Sequence, residues 1–145
     1  MRLFLIDANV RTLLLVNVLL VFKLMSSSNI TSIVRLSRKV FANPEDYAAR
    51  HMAPSSLADT EVERSRRAHQ NDLENIVPFI PLSMLWVLTS PSHTLFATLS
   101  WAFFGARVLY TICYFRSLQP WRSIAFGVAM LIMFAIGLMC LMALR

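Results

Sequence analysis

Charged residues are scarce in this chain of 145 residues: they make up 15% of it, against about a quarter in an ordinary soluble domain. Acidic residues are the rarer sign, with 8 Asp and Glu against 14 Lys and Arg, and the net charge is +6. Apolar residues supply 57%. This balance excludes an ordinary soluble domain and indicates that lipid is the solvent for most of the chain.

Cysteine is scarce as well. Cys113 and Cys140 are the only two, and both lie in apolar stretches. This excludes a disulfide framework or a CxxC metal pair, so we expect two free thiols packed as small apolar side chains, and no metal. The N-terminal segment lacks the basic region and small-residue cleavage site of a removable signal peptide. Its first apolar run is therefore expected to be a retained span.

Long apolar runs are what the sequence does contain. A helix needs about 20 mainly apolar residues to cross a bilayer. Four segments approach that length, at about 12–34, 73–89, 94–115 and 123–144. The last two connections are short, and short connections join antiparallel neighbours. The sequence therefore predicts one all-α domain, an integral membrane four-helix bundle.

The first connection differs from the others, because residues 35–71 form a long polar stretch that is expected to be a loop. Seven of the basic residues lie in it: Arg35, Arg38, Lys39, Arg50, Arg64, Arg66 and Arg67. Since positive charge favours the cytoplasmic side, we expect this loop in the cytoplasm and both termini on the opposite side.

Several polar residues fall at helical spacing near the expected span ends. Arg67, Asn71 and Glu74 lie at i, i+4 and i+7, on one helix face. Spacing alone favours a solvated helix entrance whose charges pair locally. Glu74 argues against that interpretation, because it directly precedes the apolar run. Lys23 lies within the first span, where its long stem could carry the ammonium towards an interface.

Two further groups could meet an anion. Arg107 and Tyr114 lie at i and i+7 of the third span, with Tyr110 between them; an interfacial arginine with belt tyrosines is the simpler interpretation. Arg122 and Ser123 begin the fourth span, and a helix N-terminus favours negative charge. Spacing alone does not show that these groups converge.

Three blocks together identify a family. The stretch from Val62 to Phe79, VERSRRAHQNDLENIVPF, resembles the signature of the MAPEG superfamily of membrane proteins of eicosanoid and glutathione metabolism. Arg38–Asp46, RKVFANPED, resembles a second block, and Gly105–Val108 with Thr111 and Tyr114 resembles a third. The resemblance is strongest to the microsomal glutathione transferase branch and next to the prostaglandin E synthase branch.

The resemblance implies a homotrimer in membrane lipid, with glutathione bound as co-substrate between subunits. It also implies the residues of the glutathione pocket: Arg35, Arg67, His69, Asn71, Glu74, Arg107, Tyr114, Arg122 and Ser123. In this scheme arginines hold the glutathione carboxylates and Glu74 the amino group. Arg122 faces the sulfur, with Tyr114 or Ser123 donating to it, and these three are the expected catalytic residues.

The implied activity is conjugation of glutathione to hydrophobic electrophiles, with peroxidase activity towards lipid hydroperoxides. The implied location is the endoplasmic reticulum membrane, with the mitochondrial outer membrane as a second site. A glutathione-dependent prostaglandin E synthase-type isomerase is the nearest alternative, and a non-catalytic lipid-binding scaffold is the alternative of another class. A transporter is disfavoured by the lack of internal repeats, and no nucleic-acid partner is expected.

Overall fold

Every regular element in the part of the chain that the computed structural model describes, residues 7–54 and 59–144, is a helix. The prediction of an all-α fold is confirmed. The elements are α1 (Ala8–Arg38), α2 (Pro44–Ala48), α3 (Thr60–Leu88), α4 (His93–Phe115) and α5 (Trp121–Ala143). Helix α2 is a single short turn; the other four pack together as a bundle.

Helix α1 is longer than the expected span at both ends. The Asp7 carboxylate caps its start by accepting from the backbone N–H groups of Asn9 and Val10. At the other end Lys39 adopts a left-handed conformation and donates to the last carbonyls, which closes the helix after Arg38. Residues 35–38, expected in the loop, therefore belong to α1.

Helix α3 also begins well before the apolar run that predicted it. Asp59 caps the helix by accepting from the N–H groups of Glu61 and Val62, and Thr60 is its first residue. Glu63 and Arg66 pair one turn apart at 2.8 Å on this polar half. Residues 60–71 are therefore helical, and the connection between α1 and α3 is shorter than the predicted loop 35–71.

Three of the long helices, α1, α4 and α5, have the length and composition to cross a membrane. Helix α3 is not among them because its first half is polar. Many large apolar side chains on α1 and α5 are exposed, including Leu15, Phe22, Leu131 and Phe134. Apolar exterior faces on helices of this length mark a multi-pass membrane protein.

Aromatic side chains fill the interior of the bundle. Phe79 of α3 stacks on Phe103 of α4 with ring centroids 3.8 Å apart, and both are fully buried. Trp86 and Phe96 pack together one layer further along, at 4.8 Å. These contacts fix α4 against the apolar half of α3.

A row of polar contacts sets the register of α1 against α3. The Thr31 hydroxyl lies 3.2 Å from the Ser65 carbonyl oxygen, and the Ser27 hydroxyl lies 3.2 Å from His69 Nδ1. Further along the same interface, the Asn17 amide donates to Ser83 Oγ. In successive pairs the residue number decreases along α1 and increases along α3, so the two helices are antiparallel. Each pair gives its polar groups a hydrogen-bond partner, which lipid cannot provide. A shift of either helix along its axis would therefore leave buried polar atoms without partners.

Candidate functional site

One end of the bundle carries a cationic cleft, formed where the polar half of α3 meets the end of α4 and the start of α5. It has a volume of about 380 Å³ and is called the basic cleft here. Its lining residues are Thr60, Glu63, Arg64, Arg67, Tyr114, Ser117 and Arg122. Among its described lining residues, three arginines stand beside one carboxylate, that of Glu63, which already accepts from Arg66 at 2.8 Å. Arg64 pairs with Glu61 at 3.7 Å, which leaves Arg67 and Arg122 without a carboxylate partner among the described residues. The cleft therefore carries a surplus of positive charge and suits an anionic ligand.

A second cleft of about 270 Å³ adjoins the first and is called the Ser123 cleft here. Its lining residues are Asn71, Tyr110, Arg122, Ser123 and Phe126. Arg122 lines both clefts, so one guanidinium stands between the basic cleft and a smaller space that also contains two hydroxyl groups and an amide.

Arg122 is held in place by two neighbours. Its guanidinium lies over the Tyr114 ring, 4.9 Å from the ring centroid. The Gln119 amide, in the orientation that satisfies both of its neighbours, accepts from Arg122 Nε at 3.1 Å and donates to Ser123 Oγ at 3.1 Å. Both Arg122 and Ser123 lie in the first turn of α5. The helix start thus presents a partly exposed cation and a hydroxyl side by side.

The two clefts bring together five of the nine residues expected in the site: Arg67, Asn71, Tyr114, Arg122 and Ser123. Of these five, sequence spacing grouped only Arg67 with Asn71 and Arg122 with Ser123. The structure shows in addition that α3, α4 and α5 bring the two groups and Tyr114 together. Three others, Arg35, His69 and Glu74, do not line either cleft. His69 contacts Ser27, and Glu74 accepts from Gln70 at 3.1 Å on an exposed surface.

The ninth residue, Arg107, is fully buried inside the bundle. Its guanidinium donates to Asp72 Oδ1 at 2.7 Å and to Asn71 Oδ1 at 2.8 Å, and it lies over the Tyr110 ring. Lys23 donates to the other oxygen of Asp72 and to Thr111 Oγ1. Two cations on α1 and α4 therefore share one carboxylate of α3. We call Lys23, Asp72 and Arg107 the buried charge cluster.

The sequence interpretation missed this cluster. Lys23 does not extend to an interface, since its side chain is only 12% exposed and points to Asp72. Asp72 pairs with cations on two other helices and not with arginines of its own helix. The signal that could have found the cluster is a charge at membrane depth in each of three helices, because such charges are tolerated chiefly when they pair.

An apolar groove of about 820 Å³ runs between α3 and α5. It begins on α5 at Met130 and on α3 at Pro78. Phe126 of the Ser123 cleft is one helical turn before Met130, so the two lie on the same face of α5. The groove therefore lies next to the Ser123 cleft along α5 and is lined almost wholly by carbon.

The helical fold, its membrane-spanning helices and the paired clefts define a class: a multi-pass membrane protein with a cationic site at one end of the bundle. The MAPEG family model matches residues 13–142. The chain belongs to the MAPEG family.

The most similar relatives fall into two groups. The chain is 43% identical to microsomal glutathione S-transferase 1 of Homo sapiens over 111 residues, which cover 73% of this chain and 72% of that protein. For the Sus scrofa protein of that name the identity is 44% over 109 residues, covering 72% and 70%. The chain is also 39% identical to prostaglandin E synthase of Equus caballus over 119 residues, covering 81% and 78%.

Proposed function

We propose that this chain is a membrane-bound glutathione transferase, which binds glutathione in the two clefts and conjugates it to hydrophobic electrophiles. The convergence of Arg67, Tyr114 and Arg122 in the basic cleft carries the proposal. Glutathione has two carboxylates, and a thiol that reacts as its anion. A site with surplus arginines suits the carboxylates, and a cation beside hydroxyl donors suits the thiolate.

The chemical step requires the thiolate to form near neutral pH. An unperturbed thiol has a pKa of about 8.5, and lowering it by about two units requires roughly 2.7 kcal/mol of preferential stabilisation of the anion. One arginine about 4 Å away could supply roughly 4 kcal/mol at an effective dielectric constant of about 20. Arg122 therefore suffices in magnitude, and a hydrogen bond from Tyr114 or Ser123 offsets the cost of desolvating the anion.

The second substrate reaches the thiolate from the lipid side. The apolar groove continues from the Ser123 cleft along α5 and can hold a hydrophobic electrophile. The sulfur then attacks the electrophilic carbon, a C–S bond forms, and the leaving group departs with the bonding electron pair. With a lipid hydroperoxide, two glutathione molecules are oxidised to the disulfide while the hydroperoxide is reduced to an alcohol and water.

The active assembly that we propose is a homotrimer of four-helix subunits in the endoplasmic reticulum membrane, in which the apolar half of α3 provides the fourth span. Arg35, His69 and Glu74, which the family resemblance places in the pocket, do not line the clefts of their own chain, and a trimer would let a neighbouring copy bring them to glutathione. Native mass spectrometry of the detergent-solubilised protein is expected to give the mass of three chains. A monomer that binds glutathione with undiminished affinity would contradict this assembly.

An activity assay separates transferase from isomerase. We expect purified protein in detergent to conjugate glutathione to an aromatic halide and to reduce a lipid hydroperoxide. The same reactants without protein serve as the control for the uncatalysed reaction. If conjugation is absent while prostaglandin H2 is isomerised, the protein is a prostaglandin E synthase-type enzyme, and the proposal fails. If neither reaction occurs and glutathione does not bind, the protein is a non-catalytic scaffold, and the proposal fails.

Arg67 and Arg66 offer a matched pair for testing glutathione binding. Both side chains are exposed, but only Arg67 lines the basic cleft, and Arg66 pairs with Glu63. Arg67→Ala is expected to raise the KM for glutathione about tenfold with little change in kcat, because one charge-assisted bond to a carboxylate is lost. Arg66→Ala is expected to stay within about twofold of the natural protein. Equal effects of the two substitutions in steady-state assays would remove Arg67 from the site.

A further inference from the structure

The buried charge cluster touches the Ser123 cleft at two residues: Arg107 hydrogen-bonds to Asn71 and lies over the Tyr110 ring, 4.6 Å from its centroid. Arg107 donates from one nitrogen, its terminal NH2, to three acceptors: Asp72 Oδ1, Asn71 Oδ1 and the Asn71 carbonyl oxygen at 3.3 Å. Asn71 lines the Ser123 cleft, and Arg107 does not. The guanidinium is fully buried, so it meets the cleft only through these two residues, and its hydrogen bonds among them go to Asn71.

We infer that Arg107 is a positioning residue for glutathione: it fixes the Asn71 carboxamide, and Asn71 contacts the peptide of the bound tripeptide. This inference rests on the proposed function. An asparagine carboxamide has an acceptor oxygen and two N–H donors, and can pair with a peptide group in either orientation. Because Arg107 holds the oxygen on the side of the buried cluster, the carboxamide is oriented with its nitrogen available to donate. The cleft therefore offers glutathione a fixed N–H donor, which pairs with a carbonyl oxygen of the tripeptide.

The two cations of the cluster differ in whether they contact Asn71. Arg107 and Lys23 each hold one oxygen of Asp72, but only Arg107 reaches Asn71. If either cation is removed, Asp72 still has one ion-pair partner, so neither loss leaves the carboxylate unpaired. Lys23→Met and Arg107→Met are therefore matched variants of one cluster, and only the second releases Asn71.

We expect Arg107→Met to weaken glutathione binding roughly five- to tenfold, the usual effect of losing one well-placed hydrogen bond. The KM for glutathione should rise by the same factor, while kcat changes little because Arg122 is untouched. Lys23→Met should bind glutathione within about twofold of the natural protein. Binding is measured by calorimetry on full-length protein in detergent, with thermal unfolding recorded for each variant.

A double-mutant cycle with Asn71→Ala tests whether Arg107 affects glutathione binding through Asn71. If Arg107 acts only through Asn71, Arg107→Met will have no further effect on glutathione affinity once Asn71 is alanine. Additive losses would overturn the inference, since they mean that Arg107 acts directly, through the Tyr110 ring or through the fold. Should Arg107→Met fail to fold, Arg107→Lys keeps a cation beside Asp72 and is expected to show the same non-additivity. Absence of glutathione binding by the natural protein would instead overturn the proposed function, and the inference with it.

Discussion

Replacing Arg122 by alanine is expected to lower the rate of glutathione conjugation about a hundredfold at neutral pH. The substitution removes the one cation that lines both clefts, and with it the stabilisation that we assign to the thiolate. A loss of roughly 2.7 kcal/mol corresponds to a hundredfold change in rate or in thiolate population. The measurement is kcat/KM with an aromatic halide at saturating glutathione, across a range of pH.

The dependence of activity on pH shows whether Arg122 acts by lowering the pKa of the bound thiol. Without Arg122 the bound thiol should titrate closer to its solution value, so the activity of the variant should recover as pH rises towards and above about 8.5. Arg116→Ala is the matched control, because Arg116 is an exposed arginine at the end of α4 that lines neither cleft. A uniform loss at every pH, or an equal loss with Arg116→Ala, would mean that Arg122 does not stabilise the thiolate.

Replacing Asp72 by asparagine is expected to cost about 3–5 kcal/mol of stability, because it leaves the ammonium of Lys23 and the guanidinium of Arg107 buried without a counter-ion. For a chain of this length the apparent melting temperature should fall by about 10 °C or more. The melting temperature is measured by circular dichroism of the detergent-solubilised protein. The exposed pair Arg66 and Glu63 provides a contrast, since Glu63→Gln should change the melting temperature little.

A second substitution separates charge from packing. Lys23→Met combined with Asp72→Asn removes one charge of each sign and restores the cluster's natural net charge. The double variant should regain a large part of the lost stability. If it is no more stable than Asp72→Asn alone, the destabilisation arises from packing at Asp72, and the buried charge cluster is not an electrostatic unit.

The helices were predictable because their apolar runs are long, but their ends were not. Asp7 and Asp59 extend α1 and α3 beyond the apolar runs by accepting from the first free N–H groups of each helix. The polar half of α3 is then sustained by charge pairs one turn apart, such as Glu63 with Arg66. Hydropathy marks the part of a helix that lies in lipid, whereas caps and local pairs decide where the helix ends.

Residues of the two clefts could be named from the sequence, but their arrangement in space could not. The family resemblance named Arg67, Tyr114 and Arg122, and these three line one cleft although they lie on three helices. Spacing within one helix could not reveal that convergence, because it depends on how α3, α4 and α5 pack. Lys23 was misjudged for the same reason: its partner Asp72 is 49 residues away in the chain. Pairings of this kind are decided by the bundle and leave no local pattern.

Formation of the glutathione thiolate tests the central claim most directly. Glutathione is added to the detergent-solubilised natural protein near pH 6.5, where the free thiol is about 99% protonated for a pKa of about 8.5, and the ultraviolet absorbance of the thiolate is recorded. We predict a difference absorbance that grows with bound glutathione and disappears when a non-thiol analogue displaces it. Glutathione that binds with its thiol protonated, and that titrates as it does in free solution, would contradict the account.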